Sequence, residues 1–398
     1  MKKKVLLIVI PLILIISSIV GYFLYKDYRV KHAIKKVVLK TNEVEVFDKV
    51  HLSDVIGSIN GKLVKDKEID TTKIGKKKIT FEFINNEDIK VDYTIKINVV
   101  DKTPPVIKSI TRYGIEVGNK DFYKKFFCGD NYDNKPKCGI EGKYDVNTPG
   151  EYNIAFKAVD SSRNETVNKF TLIVREKSKI STKPSEEKKV YTNFKDVLKK
   201  YKKKDNKIGL DVSEFQGDID FDRVKKAGVE FVYIRVGRGG GVGKTPVIDK
   251  NFKKNIEGFN KAGIKVGVYF FSYSVSKKEI LRDAKWVVKQ LKKYKVDLEV
   301  AYDFEDWNDY NEYNLSFYHL TEIANTFNDY MKKNGYNGML YSSMYYLENI
   351  WFETKYDIWL AHYTRNTDYK GKYKMWQVTN KGKVDGIDTL VDINILYY

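Results

Sequence analysis

The chain has 398 residues and a formal net charge of +19, from 72 Lys and Arg against 53 Asp and Glu. This length allows two to four domains, and a hydrophobic content of 42% is enough for real cores. A balance this basic favours polyanionic surroundings. Because the sequence shows no nucleic-acid-binding module, we favour anionic lipids and acidic extracellular polymers over nucleic acid as partners.

The amino terminus has the composition of a membrane segment. Three lysines precede a run of about 20 mainly apolar residues, which is long enough to cross the hydrocarbon layer of a membrane. We predict a cytoplasmic tail over residues 1–4 and an uncleaved transmembrane anchor over 5–25. A cleaved signal peptide is the alternative, although residues 19–21 (Ile-Val-Gly) match a small-residue cleavage site poorly.

Residues from about 37 to 176 consist of short alternating stretches separated by turn residues, with no helical period between them. This pattern predicts two small all-β sandwiches, over 37–101 and 102–176. The second resembles bacterial immunoglobulin-like modules in its Pro104-Pro105 start and its Pro149-Gly150-Glu151-Tyr152 turn, and the first resembles them more loosely. Such modules serve as spacers or adhesive units.

Cys128 and Cys138 are the only cysteines of the chain. Outside the cytosol we expect them to form a disulfide. This expectation, rather than the lysines that flank both ends of the apolar run, places the bulk of the chain outside the cell. No cluster of His and Cys suggests a zinc site, and the glycine-rich segment 237–245 lacks the spacing of phosphate-binding loops. We therefore expect no zinc site and no cofactor bound through such a loop.

Residues 177–204 are rich in Lys, Ser and Glu, and we predict that they form a solvated linker. From 205 to 398 the pattern alternates strand and helix. Eight strand-like stretches with early β-then-α alternation predict a parallel (β/α) barrel. The last three strands are too closely spaced for full helices between them, so the barrel should be irregular on that side.

Acidic residues lie near the ends of several of these strands. Asp303 and Glu305 close the fourth strand, one residue apart, while Asp211 and Asp392 lie near the ends of the first and eighth. Side chains at i and i+2 of a strand point the same way, and paired carboxyl groups are what cleavage of a glycosidic bond needs. Taken alone, such a pair is also typical of a solvated loop or a structural ion pair.

Several short motifs, in this order and spacing, resemble glycoside hydrolase family 25, the lysozyme-type N-acetylmuramidases. They cover about the last 195 residues and read Gly209-Leu210-Asp211-Val212-Ser213, Gly267-Val268-Tyr269, Tyr302-Asp303-Phe304-Glu305, Trp359-Leu360-Ala361-His362-Tyr363, Trp376-Gln377 and Val391-Asp392-Ile393-Asn394. The resemblance implies an irregular (β/α) barrel without a metal.

By this resemblance Glu305 is the general acid, and Asp303 either orients the substrate acetamido group or acts as a nucleophile. Asp211 and Asp392 complete the acidic pocket, and Asp303 must stay ionised while Glu305 is protonated. The expected substrate-binding residues are Tyr269, Arg235, Trp359, Trp376 and Gln377. Phe270 departs from the family pattern, in which His often follows the Tyr, and this change could alter the polarity of a sugar subsite.

The sequence therefore predicts a membrane-anchored lysozyme, single-pass and with its later domains extracellular. It would cut β-1,4 links between N-acetylmuramic acid and N-acetylglucosamine in peptidoglycan, with anionic wall polymers as further partners. Two alternatives stay open: a non-catalytic wall-binding or scaffold protein, and a glycosidase of another specificity, such as one acting on chitin.

Overall fold

The computed structural model describes residues 2–177 and 190–398. The chain divides into two compact units, Met1–Lys102 and Thr103–Tyr398. This division falls one residue after the predicted boundary between the two β domains. The second β domain and the carboxy-terminal domain both lie within the second unit.

The first unit begins with one long apolar helix, α1 (Lys2–His32). Its part Ile10–His32 has a mean hydropathy of 1.5, and none of that stretch is buried. Among the described residues, α1 is the one helix long and apolar enough to cross a membrane, a property that signal sequences share. The helix runs past the predicted end at residue 25, because no Gly or Pro lies between that residue and the basic residues that favour its carboxyl end.

The rest of the first unit is mainly β. Its core sheet has the order β2-β8-β7-β5, and the alternating residues of β7 and β8 bury one face of this antiparallel pair. Two-stranded ladders, β1 with β4 and β3 with β6, accompany that sheet. The elements are β1 (Val37–Leu39), β2 (Glu43–Glu45), β3 (Val50–His51), α2 (Leu52–Val55), β4 (Ile56–Ile59), β5 (Gly61–Leu63), β6 (Glu68–Ile69), β7 (Gly75–Asn85) and β8 (Lys90–Val100).

The second β domain has one four-stranded sheet, in the order β10-β14-β13-β12, and a short ladder of β9 with β11. The disulfide between Cys128 and Cys138 is present and links β11 to β12. The strands are β9 (Val106–Ile107), β10 (Arg112–Glu116), β11 (Cys128–Gly129), β12 (Lys137–Glu141), β13 (Gly150–Val159) and β14 (Glu165–Arg175). Below, this domain (residues 106–175) is called the second β domain.

The carboxy-terminal domain is a closed barrel of eight strands in the order β16-β17-β19-β20-β21-β22-β23-β24, with β24 returning to β16. The strands of this region are β15 (Thr192–Asn193), β16 (Asn206–Val212), β17 (Phe231–Arg238), β18 (Val247–Ile248), β19 (Lys265–Phe271), β20 (Val300–Asp303), β21 (Gly338–Ser343), β22 (Asp357–Ala361), β23 (Met375–Lys383) and β24 (Val391–Tyr397).

The barrel is not wholly parallel, which corrects the prediction. The first seven barrel strands, from β16 to β23 without β18, are parallel to one another, but β24 is antiparallel to both β23 and β16. The connection from β23 to β24 is too short for a crossover helix, so the chain can only turn back on itself. The irregular side therefore lies where the spacing predicted it.

Helices cover the outside of the barrel and bury apolar faces against the strands. The helices are α3 (Phe194–Tyr201), α4 (Phe221–Lys226), α5 (Phe252–Lys261), α6 (Lys277–Leu291), α7 (Phe317–Lys333) and α8 (Met344–Asn349). Side-chain caps on Ser276 and Ser316 start α6 and α7 where the sequence changes from loop to helical period.

The linker predicted over 177–204 is too long at its carboxyl end, and its residues 178–189 lie outside the described part of the chain. β15 pairs with the barrel strand β23, and α3 buries Phe194 and Val197 in the barrel core. The lysine-rich composition of this stretch concealed two apolar residues spaced to lie on one face of a short helix.

Candidate active site

Four carboxyl groups converge at one mouth of the barrel. Asp211 lies near the end of β16, Asp303 ends β20, and Glu305 follows two residues later. Asp392 lies at the start of β24 rather than near a strand end. Because β24 is antiparallel, its start reaches the same mouth, and Asp392 pairs with Asp211 in the strand register.

These four groups line a cleft of about 430 Å³. Its other walls include Arg235, Tyr269, Tyr341, Trp359, Tyr363 and Gln377. A larger groove of about 1060 Å³ passes Asp357 and Lys374 at the opposite ends of the strands and contains none of the four acids. The four acids therefore lie in the smaller cleft and not in the larger groove.

Two side-chain amides hold Asp211 in place. Gln377 Nε2 and Asn394 Nδ2 donate to the same oxygen, Asp211 Oδ2, over 2.9 and 2.7 Å. Burial raises the pKa of Asp211, and these hydrogen bonds oppose the rise. The pKa of Asp392 rises further, to about 9, through burial and the nearby charges of Asp211 and Glu305. Of this pair, Asp392 therefore holds its proton more strongly than Asp211.

Asp303 is the least exposed of the four acids, with only 4% of its surface exposed. Burial, followed by the charges of Glu305 and Asp211, raises its pKa well above the ordinary value, and Arg235 opposes the rise. No residue in the described part of the chain donates a hydrogen bond to its Oδ1 atom. Burial of Asp303 therefore opposes the ionised form that its expected role needs, and its protonation state stays a prediction.

Glu305 remains accessible to solvent from the open cleft. The protein atoms around its carboxyl group still desolvate it in part, and this effect and the charge of Asp211 raise its pKa. A carboxyl group that keeps its proton closer to neutral pH, and that a ligand can reach, is suited to general acid catalysis.

Arg235 lines the cleft but offers little uncompensated charge. Its Nε donates to Asp249 Oδ2 over 2.8 Å, and its Nη2 donates to Glu214 Oε1 over 2.9 Å. The exposed ring of Phe215 covers the guanidinium group at 4.9 Å. Arg235 therefore shapes this wall of the cleft and lowers the pKa of Asp303, and its contact with substrate stays a prediction.

Two of the three aromatic residues predicted to bind substrate line the cleft. Trp359 and Tyr269 form part of its floor, with their rings 6.1 Å apart in an edge-to-face contact. Trp376 does not reach the cleft, which corrects the prediction. Its ring packs against Tyr201 of α3, and its Nε1 donates to the carbonyl of His362, because alternate residues of β23 face opposite sides of the barrel wall.

Gln377, the next residue, faces inward. Its Oε1 accepts hydrogen bonds from the hydroxyl groups of Tyr341 and Tyr363, over 3.0 and 2.8 Å, which leaves its Nε2 to donate to Asp211. Tyr341, Tyr363 and Asn394 were not among the predicted site residues. Asn394 lay within the quoted motif around Asp392, and its position two residues after Asp392 on the same strand face was the available signal.

Phe270 has no contact with the cleft. Its ring is fully buried on the outer side of β19, where it stacks on Phe327 of α7 at 5.9 Å. The predicted change in subsite polarity is therefore wrong, because Tyr269 and Phe271 take the two inward positions of this strand.

An acidic cleft with an aromatic floor, at one mouth of a β/α barrel, is the arrangement of a glycoside hydrolase. Residues 210–387 match the model of the glycosyl hydrolases family 25. The carboxy-terminal region therefore contains a glycoside hydrolase family 25 domain over residues 210–387.

The autolytic lysozyme of Clostridium acetobutylicum is 25% identical over 189 residues, which are 47% of this chain and 54% of that protein. The chain thus spans about half the length of this relative. The uncharacterized protein YegX of Escherichia coli K12 is 27% identical over 197 residues, covering 47% of this chain and 68% of YegX.

Among solved structures, a family 25 glycosyl hydrolase from Bacillus anthracis is 24% identical, with a TM-score of 0.43, and covers 50% of this chain and 92% of that one. The modular autolysin LytC from Streptococcus pneumoniae, solved with a synthetic peptidoglycan ligand, is also 24% identical with a TM-score of 0.43. That match covers 61% of this chain and 56% of LytC.

Proposed function

We propose that the barrel hydrolyses peptidoglycan at the β-1,4 link between N-acetylmuramic acid and N-acetylglucosamine. The observation that carries the proposal is the meeting of Asp211, Asp303, Glu305 and Asp392 in one cleft with an aromatic floor. The relationship to family 25, which includes an autolytic lysozyme, supports peptidoglycan as the substrate.

In the proposed reaction, the Glu305 carboxyl group donates its proton to the leaving glycosidic oxygen. The substrate's own acetamido oxygen stabilises the cationic sugar carbon, and Asp303 holds the acetamido N–H. Asp303 Oδ1, which is buried and accepts no hydrogen bond from the described residues, is suited to that N–H. Such a bond favours the ionised form of Asp303.

We further propose that α1 anchors the chain in the membrane, with the later domains outside the cell. The disulfide between Cys128 and Cys138 suits an oxidising compartment. The two β domains, which we propose to be immunoglobulin-like, follow α1 and precede the barrel in the sequence. The net charge of +19 favours contact with anionic wall polymers. Cell fractionation with protease digestion from outside tests this topology.

The reaction is tested with the full chain in detergent on labelled peptidoglycan. We expect new reducing ends on muramic acid, and we expect Glu305→Gln to lower turnover by about 10²–10⁴-fold while the fold is retained. Glu257→Gln, a matched change at an exposed position of α5, should leave the rate unchanged. Full wall-clearing activity in the Glu305 variant would remove this residue from its assigned role.

The same assay separates the alternatives. Binding to the wall without release of reducing ends supports a scaffold protein. Cleavage of chitin oligomers without cleavage of the wall supports a glycosidase of another specificity.

A further inference from the structure

Phe127 belongs to the second β domain in sequence but to the barrel in packing. Its ring is 5% exposed and lies in the apolar core of the barrel, 5.3 Å from the ring of Tyr310 and 6.1 Å from that of Trp307. The preceding residue, Phe126, lies in the core of its own domain. Two consecutive side chains therefore enter two different cores.

Hydrogen bonds hold the backbone on both sides of Phe127. Asn311 of the barrel accepts a hydrogen bond from Cys128 N through Oδ1 (3.0 Å) and donates one from Nδ2 to the carbonyl of Phe126 (2.7 Å). Lys125 adds an ion pair with Asp309. One amide side chain thus satisfies a donor and an acceptor that flank the inserted ring.

The same part of the second β domain also caps α7, the helix that follows β20 in the sequence. The carbonyl of Asp130 accepts from the backbone N–H of Phe317, the first residue of α7, over 2.8 Å, and Asn134 Oδ1 accepts from Ser316 N over 2.9 Å. The first N–H groups of a helix have no partner inside the helix, so these oxygens supply what α7 lacks.

The contact is close as well as polar. A Cβ atom at Gly129 would lie 2.4 Å from the ring of Phe317, so this position leaves no space for a side chain. The disulfide from Cys128 to Cys138 ties this stretch of the β domain to β12. We call residues 125–134 the brace.

The brace contacts the segment 304–316, which joins Asp303 to α7. Glu305 is the second residue of this segment and lies beyond the end of β20, so the sheet does not fix its backbone. Trp307 holds this backbone instead. The backbone N–H of Trp307 donates to the carbonyl of Glu305 over 2.8 Å, and the indole ring of Trp307 stacks on the ring of Tyr346 at 3.8 Å. Phe127 packs against Trp307 from the other domain.

We propose that Phe127 is a positioning residue for Glu305, and that the second β domain is part of the catalytic unit rather than only a spacer. Through Trp307, the ring of Phe127 holds the segment that carries the general acid. This inference rests on the proposed function, in which Glu305 must reach the glycosidic oxygen. Misplacing a catalytic group by about 1 Å can cost on the order of 10²-fold in rate.

The test compares the full chain with its Phe127→Ala and Phe127→Leu variants on labelled peptidoglycan. We expect Phe127→Ala to lower kcat by about 10- to 100-fold, with KM changed less than about twofold, because the cleft itself is intact. Leucine refills most of the volume and should restore most of kcat. Water reaching a looser Glu305 lowers its pKa, so the alkaline limb of the pH profile should move to lower pH in Phe127→Ala.

Lys124→Ala is the matched control, because Lys124 pairs with Asp121 inside its own domain while Lys125 bridges to the barrel. Lys124→Ala should match the wild type. Hydrogen exchange of residues 304–316 gives a readout that needs no activity, and Phe127→Ala should accelerate that exchange.

Wild-type kcat and an unchanged pH profile in Phe127→Ala would overturn the inference and leave the proposed function standing. If the wild-type chain releases no reducing ends, the proposed function fails, and the exchange rates still decide whether the brace holds the segment. Unchanged exchange in Phe127→Ala would overturn the inference in that case as well.

Discussion

Asn394 hydrogen-bonds both a buried tryptophan of the barrel and Asp211, and Asn394→Ala should therefore destabilise the barrel. Its side chain is fully buried, accepts from Trp359 Nε1 over 2.8 Å and donates to Asp211 over 2.7 Å. Alanine leaves the buried indole N–H without its acceptor, at a cost of about 1–3 kcal/mol, and removes a hydrogen bond to a carboxylate worth about 1.5–3 kcal/mol. We therefore expect the barrel to lose about 3 kcal/mol or more.

The assay is urea unfolding of the full chain followed by tryptophan fluorescence. All five tryptophans lie between residues 286 and 376, so the signal reports the barrel alone. Asn366→Ala, at an exposed position, is the control and should stay within about 0.5 kcal/mol of the wild type. If Asn394→Ala unfolds at the same urea concentration as this control, the hydrogen bonds of Asn394 do not support the barrel as reasoned here.

Three further predictions concern pH, the disulfide and Phe270. The pKa of Asp392, about 9 when folded, lies above its unfolded value near 4, so this residue costs the barrel stability as pH rises between these values. The stability gained by Asp392→Asn over the wild type should therefore grow across that window, and a constant difference would contradict the raised pKa. Replacing Cys128 and Cys138 by Ser should destabilise the second β domain by about 2–3 kcal/mol, measured by hydrogen exchange of β13 and β14, and unaltered exchange would refute this. Phe270→Leu should lower the urea midpoint of the barrel by the equivalent of about 1 kcal/mol and leave KM unchanged, whereas a changed KM would place the ring at the substrate.

The sequence predicted much of the barrel because the relevant signals were local. Strand and helix periods and capping residues predicted the barrel elements. The short motifs indicated the four acids, and the close spacing of the last strands predicted the irregular side. The direction of β24 was not predictable in this way, because an apolar strand pattern is the same in parallel and antiparallel pairs. Trp376 was misassigned for a related reason: which face of β23 turns inward depends on its register with β22 and β24.

Protonation states also depended on the fold. A carboxyl group in a sequence has its ordinary pKa, and only burial beside other acids decides which group holds a proton. The barrel buries Asp303 beside Glu305 and Asp211, and these surroundings raise its pKa, which the sequence alone did not reveal.

By itself, the sequence determined most of the barrel strands and helices and which carboxyl groups are available for catalysis, because these properties follow from side-chain chemistry and from periods of a few residues. The tertiary structure alone decided that Phe127 leaves its own domain to pack beside Trp307, and that Asp392 faces Asp211. Contacts between residues separated by about 180 positions depend on how the whole chain closes, and no local pattern of residues records that closure.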